Sequence, residues 1–146
     1  MRRRTLIRAS TAVFALGLLA PARRARAADG LVIVTTADSP IQSLTPAEVR
    51  KLYLGVPLVA YGIEVLPVLN RSDPELQEMF LQKVLFMSGQ VYERRMLAKL
   101  YREGGNRIAD IDARAQLQPM LAADPRRITY VRRGDVGPAM KVIAQP

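Results

Sequence analysis

Blocks of apolar and polar residues divide the chain into segments with strand or helix periodicity. Residues 31–36 (Leu-Val-Ile-Val-Thr-Thr) are continuously apolar or β-branched, a pattern typical of a strand buried on both faces. Residues 45–48 (Thr-Pro-Ala-Glu) combine an N-cap threonine, a proline at the first helical position and a glutamate three residues after the cap. Apolar residues then recur at helical spacing until Gly55 ends the helix. Residues 64–70 are predicted as a second strand, in which Pro67 indicates an edge position or a bulge because it lacks a backbone donor.

The order of these elements predicts how the first two strands lie in the sheet. A helix between two strands of one sheet makes a right-handed crossover, which leaves the two strands parallel. We therefore expect residues 31–36 and 64–70 to be adjacent or nearly adjacent parallel strands, in a sheet of about four or five strands.

The second half of the chain predicts three further helices and two further strands. Residues 73–75 (Asp-Pro-Glu) repeat the cap-then-proline start, and residues 88–89 (Ser-Gly) begin the next helix. The first of these helices places near one face Leu76, Met79, Phe80, Lys83, Val84 and Met87. The second is expected to bury a stripe formed by Val91, Tyr92, Met96, Leu100 and Tyr101. Residues 111–122 are predicted as the last helix, and residues 127–131 and 140–143 as strands.

The first 27 residues have the pattern of an export signal. Arginines at the start precede an apolar run over residues 9–20, and a small-x-small site at 25–27 (Ala-Arg-Ala) places the cut before Ala28. The run is too short for a membrane span, which needs roughly 20 residues. The paired arginines at positions 3–4 favour the twin-arginine route over the general secretory route. We therefore expect a periplasmic protein whose remaining residues, 28–146, form one domain.

The leader also holds much of the positive charge. The chain has 22 Lys and Arg against 13 Asp and Glu, a net charge of +9, but seven of the arginines and none of the acids lie before residue 28. That leaves 15 basic and 13 acidic residues, a net charge of +2, in the exported part. A strongly basic domain favours nucleic-acid binding, so this near-neutral balance argues against a nucleic-acid partner.

Missing residue types exclude several kinds of chemistry. The chain has no Cys and no His. Disulfides, a lipid-modified cysteine, thiolate or histidine metal sites and histidine acid–base catalysis are therefore excluded. No other catalytic constellation stands out. The sequence thus predicts a non-enzymatic domain with no cofactor, no metal and no membrane insertion after the leader is cut.

Three regions of the chain resemble segments of the periplasmic phosphate-binding proteins of ABC transporters, and they occur in the same order as in that family. Residues 43–49 (Ser-Leu-Thr-Pro-Ala-Glu-Val), running into 52–55 (Leu-Tyr-Leu-Gly), are similar to a "leu-thr-x-x-glu-val/leu" helix that ends in "phe-x-gly". Residues 70–73 (Asn-Arg-Ser-Asp) resemble the arginine-serine-aspartate turn after the next strand of that family. Residues 125–131 (Pro-Arg-Arg-Ile-Thr-Tyr-Val) are similar to its "pro-gly-x-ile-gly-tyr-val" strand. The resemblance implies one α/β lobe of the periplasmic-binding-protein type (type II-like), three layers thick, with a mostly parallel central sheet flanked by helices.

The resemblance and the predicted strand ends together indicate an anion site. Ligands of open α/β sheets bind outside the carboxyl ends of the strands, where helix N-termini favour negative charge. Ser39 follows the first predicted strand, and Arg71 and Ser72 follow the second. We therefore expect Ser39, Arg71 and Ser72 to hold phosphate or another small oxyanion, with Arg71 able to grip it through two hydrogen bonds.

Two functions stay open at this point. Asp73, Pro74 and Glu75 stand where the larger family members continue "gly-ser-gly-thr", and an N-cap at Asp73 would occupy N–H groups that an anion needs. Thr129 likewise stands where the family has glycine. The first function is a periplasmic solute-binding protein that presents phosphate or another oxyanion to a membrane transporter. The alternative is a ligand-free interaction or assembly module that contacts an envelope protein.

Overall fold

The computed structural model describes residues 30–146, so the predicted leader, its cleavage before Ala28 and the export route lie outside the described residues. The strands in this range are β1 (Leu31–Thr36), β2 (Val59–Ala60), β3 (Ile63–Glu64), β4 (Leu66–Asn70), β5 (Ala109–Ile111), β6 (Arg127–Arg132) and β7 (Met140–Ala144). The α-helices are α1 (Pro46–Tyr53), α2 (Pro74–Phe80), α3 (Gly89–Glu103) and α4 (Leu117–Ala123). A π-helical turn over Leu81–Leu85 continues α2, and 3₁₀ turns span Arg114–Gln116 and Arg133–Asp135.

Five of the strands form one mixed sheet. Their order is β5-β4-β6-β1-β7, while β2 and β3 make a separate hairpin. β4 is parallel to β5 and to β6, whereas β1 is antiparallel to both β6 and β7. Four of the five strands therefore run the same way and β1 alone runs against them, which confirms the predicted α/β class with a mostly parallel sheet.

The expected parallel arrangement of the first two long strands is wrong. β6 lies between β1 and β4, and these two strands run in opposite directions. The loop over residues 37–44 explains the difference, because it follows the outer edge of β7. Its first residue, Ala37, donates its N–H to Ala139 O at 2.9 Å, and its last, Leu44, donates to Ile143 O at 2.9 Å. The chain has already returned along the sheet before α1 begins, so α1 does not connect β1 to β4 as two parallel strands.

The second predicted strand is divided between two elements. Residues 63–64 pair in the β2–β3 hairpin, and β4 begins at Leu66. Pro67 pairs with Ile128 of β6, while the pairing with β5 begins only at Val68. The missing N–H of Pro67 therefore falls where β4 has one neighbour, which is how a strand inside the sheet accommodates a proline.

Both faces of β1 are buried, as its apolar run indicates. Its side chains alternate between a larger cluster with α1, α2 and the π turn, and a smaller one with α4. Aromatic rings fill the larger cluster: Phe80 stacks on Tyr130 with ring centroids 4.0 Å apart and meets Tyr53 edge-on at 4.6 Å. Aromatic pairs of this kind add about 0.5–1.5 kcal/mol each beyond the apolar area that they bury.

The helix after β4 buries a set of residues that differs from the expected one. Lys83 is exposed, while Leu81 and Leu85 are buried. The π turn accounts for this, because a turn that contains one additional residue rotates the side chains that follow it. Helix periodicity alone, which assumes 3.6 residues per turn, cannot place these side chains correctly.

Helix α3 differs most from expectation. Only Tyr92 of its 15 residues is buried. Val91 and Tyr101 were expected in the same stripe, yet they are 45% and 86% exposed. Their positions lie about 100° and 180° around the helix from Tyr92, so one narrow contact cannot bury all three. Within the part of the chain that the structure describes, no helix is long and apolar enough to cross a bilayer.

The last predicted helix begins later than expected. Residues 109–111 form the edge strand β5, a 3₁₀ turn follows, and α4 starts at Leu117. The predicted strands at 127–131 and 140–143 are confirmed as β6 and β7, each one residue longer at its C-terminal end.

Candidate functional site

The turn after β4 is organised by a buried asparagine. Asn70 is 4% exposed and donates its side-chain N–H to Tyr130 O at 3.1 Å. Its Oδ1 accepts hydrogen bonds from the Ser72 N–H at 3.1 Å and from the Ser72 hydroxyl at 2.6 Å. This Asx turn fixes the backbone at the strand end. The Ser72 hydroxyl hydrogen is therefore engaged within the turn.

Arg71 is held between two carboxylates. Its NH2 group donates to Glu93 Oε1 on α3 at 2.9 Å, and its Nε lies 3.0 Å from Asp110 Oδ2 on β5. Nε is buried and, although close to Asp110, is not oriented to donate a hydrogen bond to any described group. We call Arg71, Glu93 and Asp110 the arginine clamp. It holds one positive and two negative charges at the carboxyl ends of two parallel strands.

The N-terminus of α2 is also occupied. Asp73 is its N-cap, as predicted, and its Oδ1 accepts the Leu76 N–H at 3.1 Å. Arg132 at the end of β6 donates from Nε to Asp73 Oδ2 at 2.7 Å and from NH2 to Glu75 Oε2 at 3.3 Å. The hydrogen bond from Arg132 lowers the pKa of Asp73 below its usual value. The carboxylate of Asp73 therefore takes the position at the helix start where an external anion would bind.

Ser39 lies at the other end of the sheet. Leu31 at the start of β1 pairs with Arg132 at the end of β6. Leu66 at the start of β4 pairs instead with Arg127 at the start of β6. The end of β1 and the Ser39 loop that follows it are therefore far from the end of β4. Ser39 is 3% exposed, and its hydroxyl donates to Pro125 O at 2.6 Å.

The predicted grouping of three site residues consequently does not form. Arg71 and Ser72 are neighbours in one turn, but Ser39 is not near them, because β1 is antiparallel to β4. The backbone oxygen of Ser39 accepts from Lys141 Nζ at 2.6 Å, so this residue ties its own loop to β7. Anion binding by Arg71 and Ser72 stays a prediction.

Sequence reasoning missed both carboxylates of the arginine clamp. Glu93 lies outside the apolar stripe predicted for its helix, and Asp110 directly precedes a segment predicted as helix. Neither residue lies within 20 positions of Arg71 in the sequence. Only the folded sheet, which places β5 next to β4 and α3 beside them, brings the three side chains together.

A groove beside the arginine clamp separates α3 from the body of the protein. Its volume is about 680 Å³, and it is lined by residues of β4, α3 and the segment after α1. Apolar lining comes from Val56, Met96 and Leu100, and Arg71 lies at its wall. The Tyr92 hydroxyl donates to Tyr53 O at 2.9 Å and attaches α3 to α1. Among residues 30–146 no group of three acidic, His or Cys side chains is placed to hold a metal ion.

Comparisons with known proteins give a likeness in structure only. A scan against models of protein families finds no match, and a search of curated proteins finds none either. Among solved structures, the chain is similar to an ABC-type phosphate transport receptor from Vibrio cholerae, with a TM-score of 0.55 and 13% sequence identity. The match covers 79% of this chain and 45% of the receptor, so the chain spans less than half of that protein's length. The chain therefore has a fold of the periplasmic-binding-protein type, the type to which its sequence resemblance pointed.

Proposed function

We propose that this chain is a non-catalytic periplasmic domain that acts as an interaction module, using one three-layer lobe of the periplasmic-binding-protein type (type II-like) to contact another envelope protein. Export by the predicted twin-arginine leader would deliver it there. Its partner belongs to the membrane or the periplasm, and a transporter subunit is one such protein. No cofactor takes part in this function.

The arginine clamp is the observation that carries the proposal. An oxyanion at Nε or NH2 of Arg71 would have to displace Asp110 or Glu93, and both nearby carboxylates would repel it. The neighbouring helix N-terminus is capped by Asp73, so it offers no free charge-assisted site. Residues 30–146 also contain a single five-stranded sheet and one short hairpin, so this part of the chain has no second lobe to close over a ligand and bury it.

A second candidate function is the binding of phosphate or another small oxyanion for a membrane transporter. It is favoured by the position of Arg71, which follows β4 and lies at the carboxyl ends of the parallel strands β4 and β5. The buried Nε of Arg71 also lacks an aligned acceptor among the described residues. The structural neighbour is itself described as a phosphate transport receptor.

Anion titration separates the two functions. We expect purified residues 28–146 to give no heat of binding in calorimetry and no shift in melting temperature with millimolar phosphate or sulfate. The reason is that Glu93 and Asp110 already pair with Arg71. Replacing both carboxylates (Glu93→Gln with Asp110→Asn) should release Arg71 and strengthen binding about tenfold or more. Glu103→Gln on the same helix is the matched control and should change nothing. Micromolar binding by the unmodified protein, lost in Arg71→Ala, would establish the second function instead.

The interaction itself needs a separate measurement. Gel filtration of a native envelope extract should place the chain in a complex heavier than the chain alone, and added phosphate should not dissociate it. A chain that elutes at its own mass under all conditions contradicts the interaction module.

A further inference from the structure

Helix α3 separates its charges between its two sides. Its two acids point toward other groups of the protein: Glu93 pairs with Arg71, and Glu103 pairs with Lys99 one turn away. Neither is available to a partner without breaking an existing ion pair. The negative charge of α3 is therefore used within the domain.

The basic residues on the other side have no such partners. Arg94, Arg95 and Arg102 are exposed, and none takes part in an ion pair between described residues. Arg94 and Arg102 donate weakly to carbonyls of their own helix, at 3.4 and 3.2 Å. Arg94 and Arg95 thus face outward without a carboxylate partner, and the carboxylate near Arg102, that of Glu103, is already paired with Lys99.

Large apolar side chains are exposed between these arginines. Val91 is 45% exposed, Leu97 is 43% exposed and Tyr101 is 86% exposed. On a helix, residues spaced by three or four positions lie in one row. Arg94, Leu97 and Tyr101 form one such row, and Val91, Arg95, Ala98 and Arg102 form the row beside it. We call Val91, Arg94, Arg95, Leu97, Tyr101 and Arg102 the outer face of α3.

This composition is typical of a binding surface. Tyr and Arg are the residues that most often contribute strongly at protein interfaces, and an interface needs apolar anchors surrounded by charge. The ring of Tyr101 is 86% exposed, so its apolar surface does not contribute to the stability of the isolated domain. The outer face of α3 therefore has both the anchors and the charge of a docking site.

We propose that the outer face of α3 docks an acidic segment of a partner protein, whose carboxylates pair with the arginines while its apolar side chains pack on Leu97 and Tyr101. The proposal rests on the interaction function and names the surface and the chemistry of its partner. Charge complementarity is the argument: three exposed guanidinium groups, none of them in an ion pair between described residues, lie within about two and a half turns of one helix.

Two other occupants fit this surface less well. In a symmetric pair of copies, the same patch meets itself, so the three arginines of one copy would face those of the other. A membrane-bound helix needs a continuous apolar side, and the more apolar side of α3, with Tyr92, Met96 and Leu100, faces the domain instead. Both occupants predict outcomes that the experiment below separates from an acidic protein.

Site-specific photo-crosslinking of the full chain in the producing bacterium tests the proposal. The photoreactive residue p-benzoylphenylalanine replaces Tyr101, and in a control chain it replaces Phe86, an aromatic residue that is 70% exposed and lies outside α3. We expect Tyr101→p-benzoylphenylalanine to give a protein adduct whose crosslinked segment, identified by mass spectrometry, is acidic. The Phe86 control should not give this adduct.

Charge reversal provides the second arm. Arg94→Glu with Arg95→Glu should reduce the Tyr101 adduct by about tenfold or more, because two attractive charges become repulsive. Lys83→Glu with Arg133→Glu makes the same change in net charge elsewhere on the exposed surface and should leave the adduct unchanged. Melting temperatures of both variants show that they remain folded.

Three results would overturn the proposal: an adduct with a second copy, an adduct with lipid, or a protein adduct that survives reversal of Arg94 and Arg95. The first is checked by sedimentation and the second by flotation with phosphatidylglycerol vesicles. If the envelope complex persists in the α3 reversal variant, this docking site is wrong but the interaction function stands. If the unmodified chain forms no complex, the interaction function itself is wrong.

Discussion

At the scale of single residues, the carboxylate of Asp73 contacts both its own helix and a neighbouring strand. Aspartate before proline at a helix start predicts an N-cap, and the carboxylate of Asp73 accepts the Leu76 N–H. The structure adds what the local sequence could not contain, a second partner in Arg132, which lies 59 positions away in the chain. One carboxylate therefore caps α2 and ties it to the end of β6.

Asp73→Ala should destabilise the domain at neutral pH by about 1 kcal/mol or slightly more, through the lost cap. The hydrogen bond from Arg132 lowers the pKa of Asp73 in the folded protein, so this contribution is present above the unfolded-state pKa of about 4. It disappears as the pH falls through the lower folded-state value. Urea unfolding at pH 7 and at pH 2 measures the change.

The matched control is Glu75→Gln, because Glu75 also contacts Arg132 but its side chain is 88% exposed. We expect the control to change the free energy of unfolding by less than about 0.5 kcal/mol. A destabilisation of Asp73→Ala that stays equally large at pH 2 would contradict the assigned role of the ionised carboxylate.

At the scale of elements, α3 is weakly attached to the rest of the domain. Of its side chains only Tyr92 is buried, and a groove separates much of the helix from β4. Burial raises the pKa of the Tyr92 hydroxyl, which stays protonated and donates to Tyr53 O. An element with few buried contacts opens at a lower free energy than the core strands.

Tyr92→Phe should therefore cost about 1 kcal/mol of stability, through the loss of one buried hydrogen bond. Amide hydrogen exchange should become faster in α3, while β6 keeps its protection. Tyr101→Phe removes the same hydroxyl group from an exposed ring on the same helix and should have no effect. Equal exchange rates in Tyr92→Phe and the unmodified protein would show that other contacts of α3, such as those of Met96 and Leu100 along the groove, attach the helix instead of this hydrogen bond.

At the scale of the whole molecule, the proposed function depends on the predicted export as well as on the fold. Seven of the 22 basic residues lie in the predicted leader, so the net charge of the whole chain differs from that of residues 28–146. The outer face of α3 thus belongs to a domain of nearly balanced charge. Its arginines are a local feature rather than part of a basic protein surface in general.

Changing the paired arginines at positions 3 and 4 to lysine should retain the precursor in the cytoplasm if export uses the twin-arginine route. Cell fractionation followed by immunoblotting measures the retained fraction. N-terminal sequencing of the mature form should begin at Ala28. Normal export of the double variant would instead indicate the general secretory route.

Local sequence determined the positions of most elements, because the signals that start and stop helices act within a few residues. The capping box of Thr45 with Glu48 is present as predicted, and β1, β6 and β7 lie where apolar runs placed them. Three segments that occur in the same order as in the phosphate-binding proteins also indicated the fold type that structural comparison supports. These predictions required no knowledge of which elements are neighbours.

Tertiary structure alone decided strand direction, and with it the candidate site. The apolar run of β1 shows that both faces are buried, but not that β6 lies between β1 and β4 or that loop 37–44 returns the chain along β7. Because β1 is reversed, Ser39 lies far from Arg71, and Arg71 instead meets Glu93 and Asp110 from distant parts of the chain. Contacts between residues far apart in sequence depend on the packing of whole elements, which no local pattern of residues encodes.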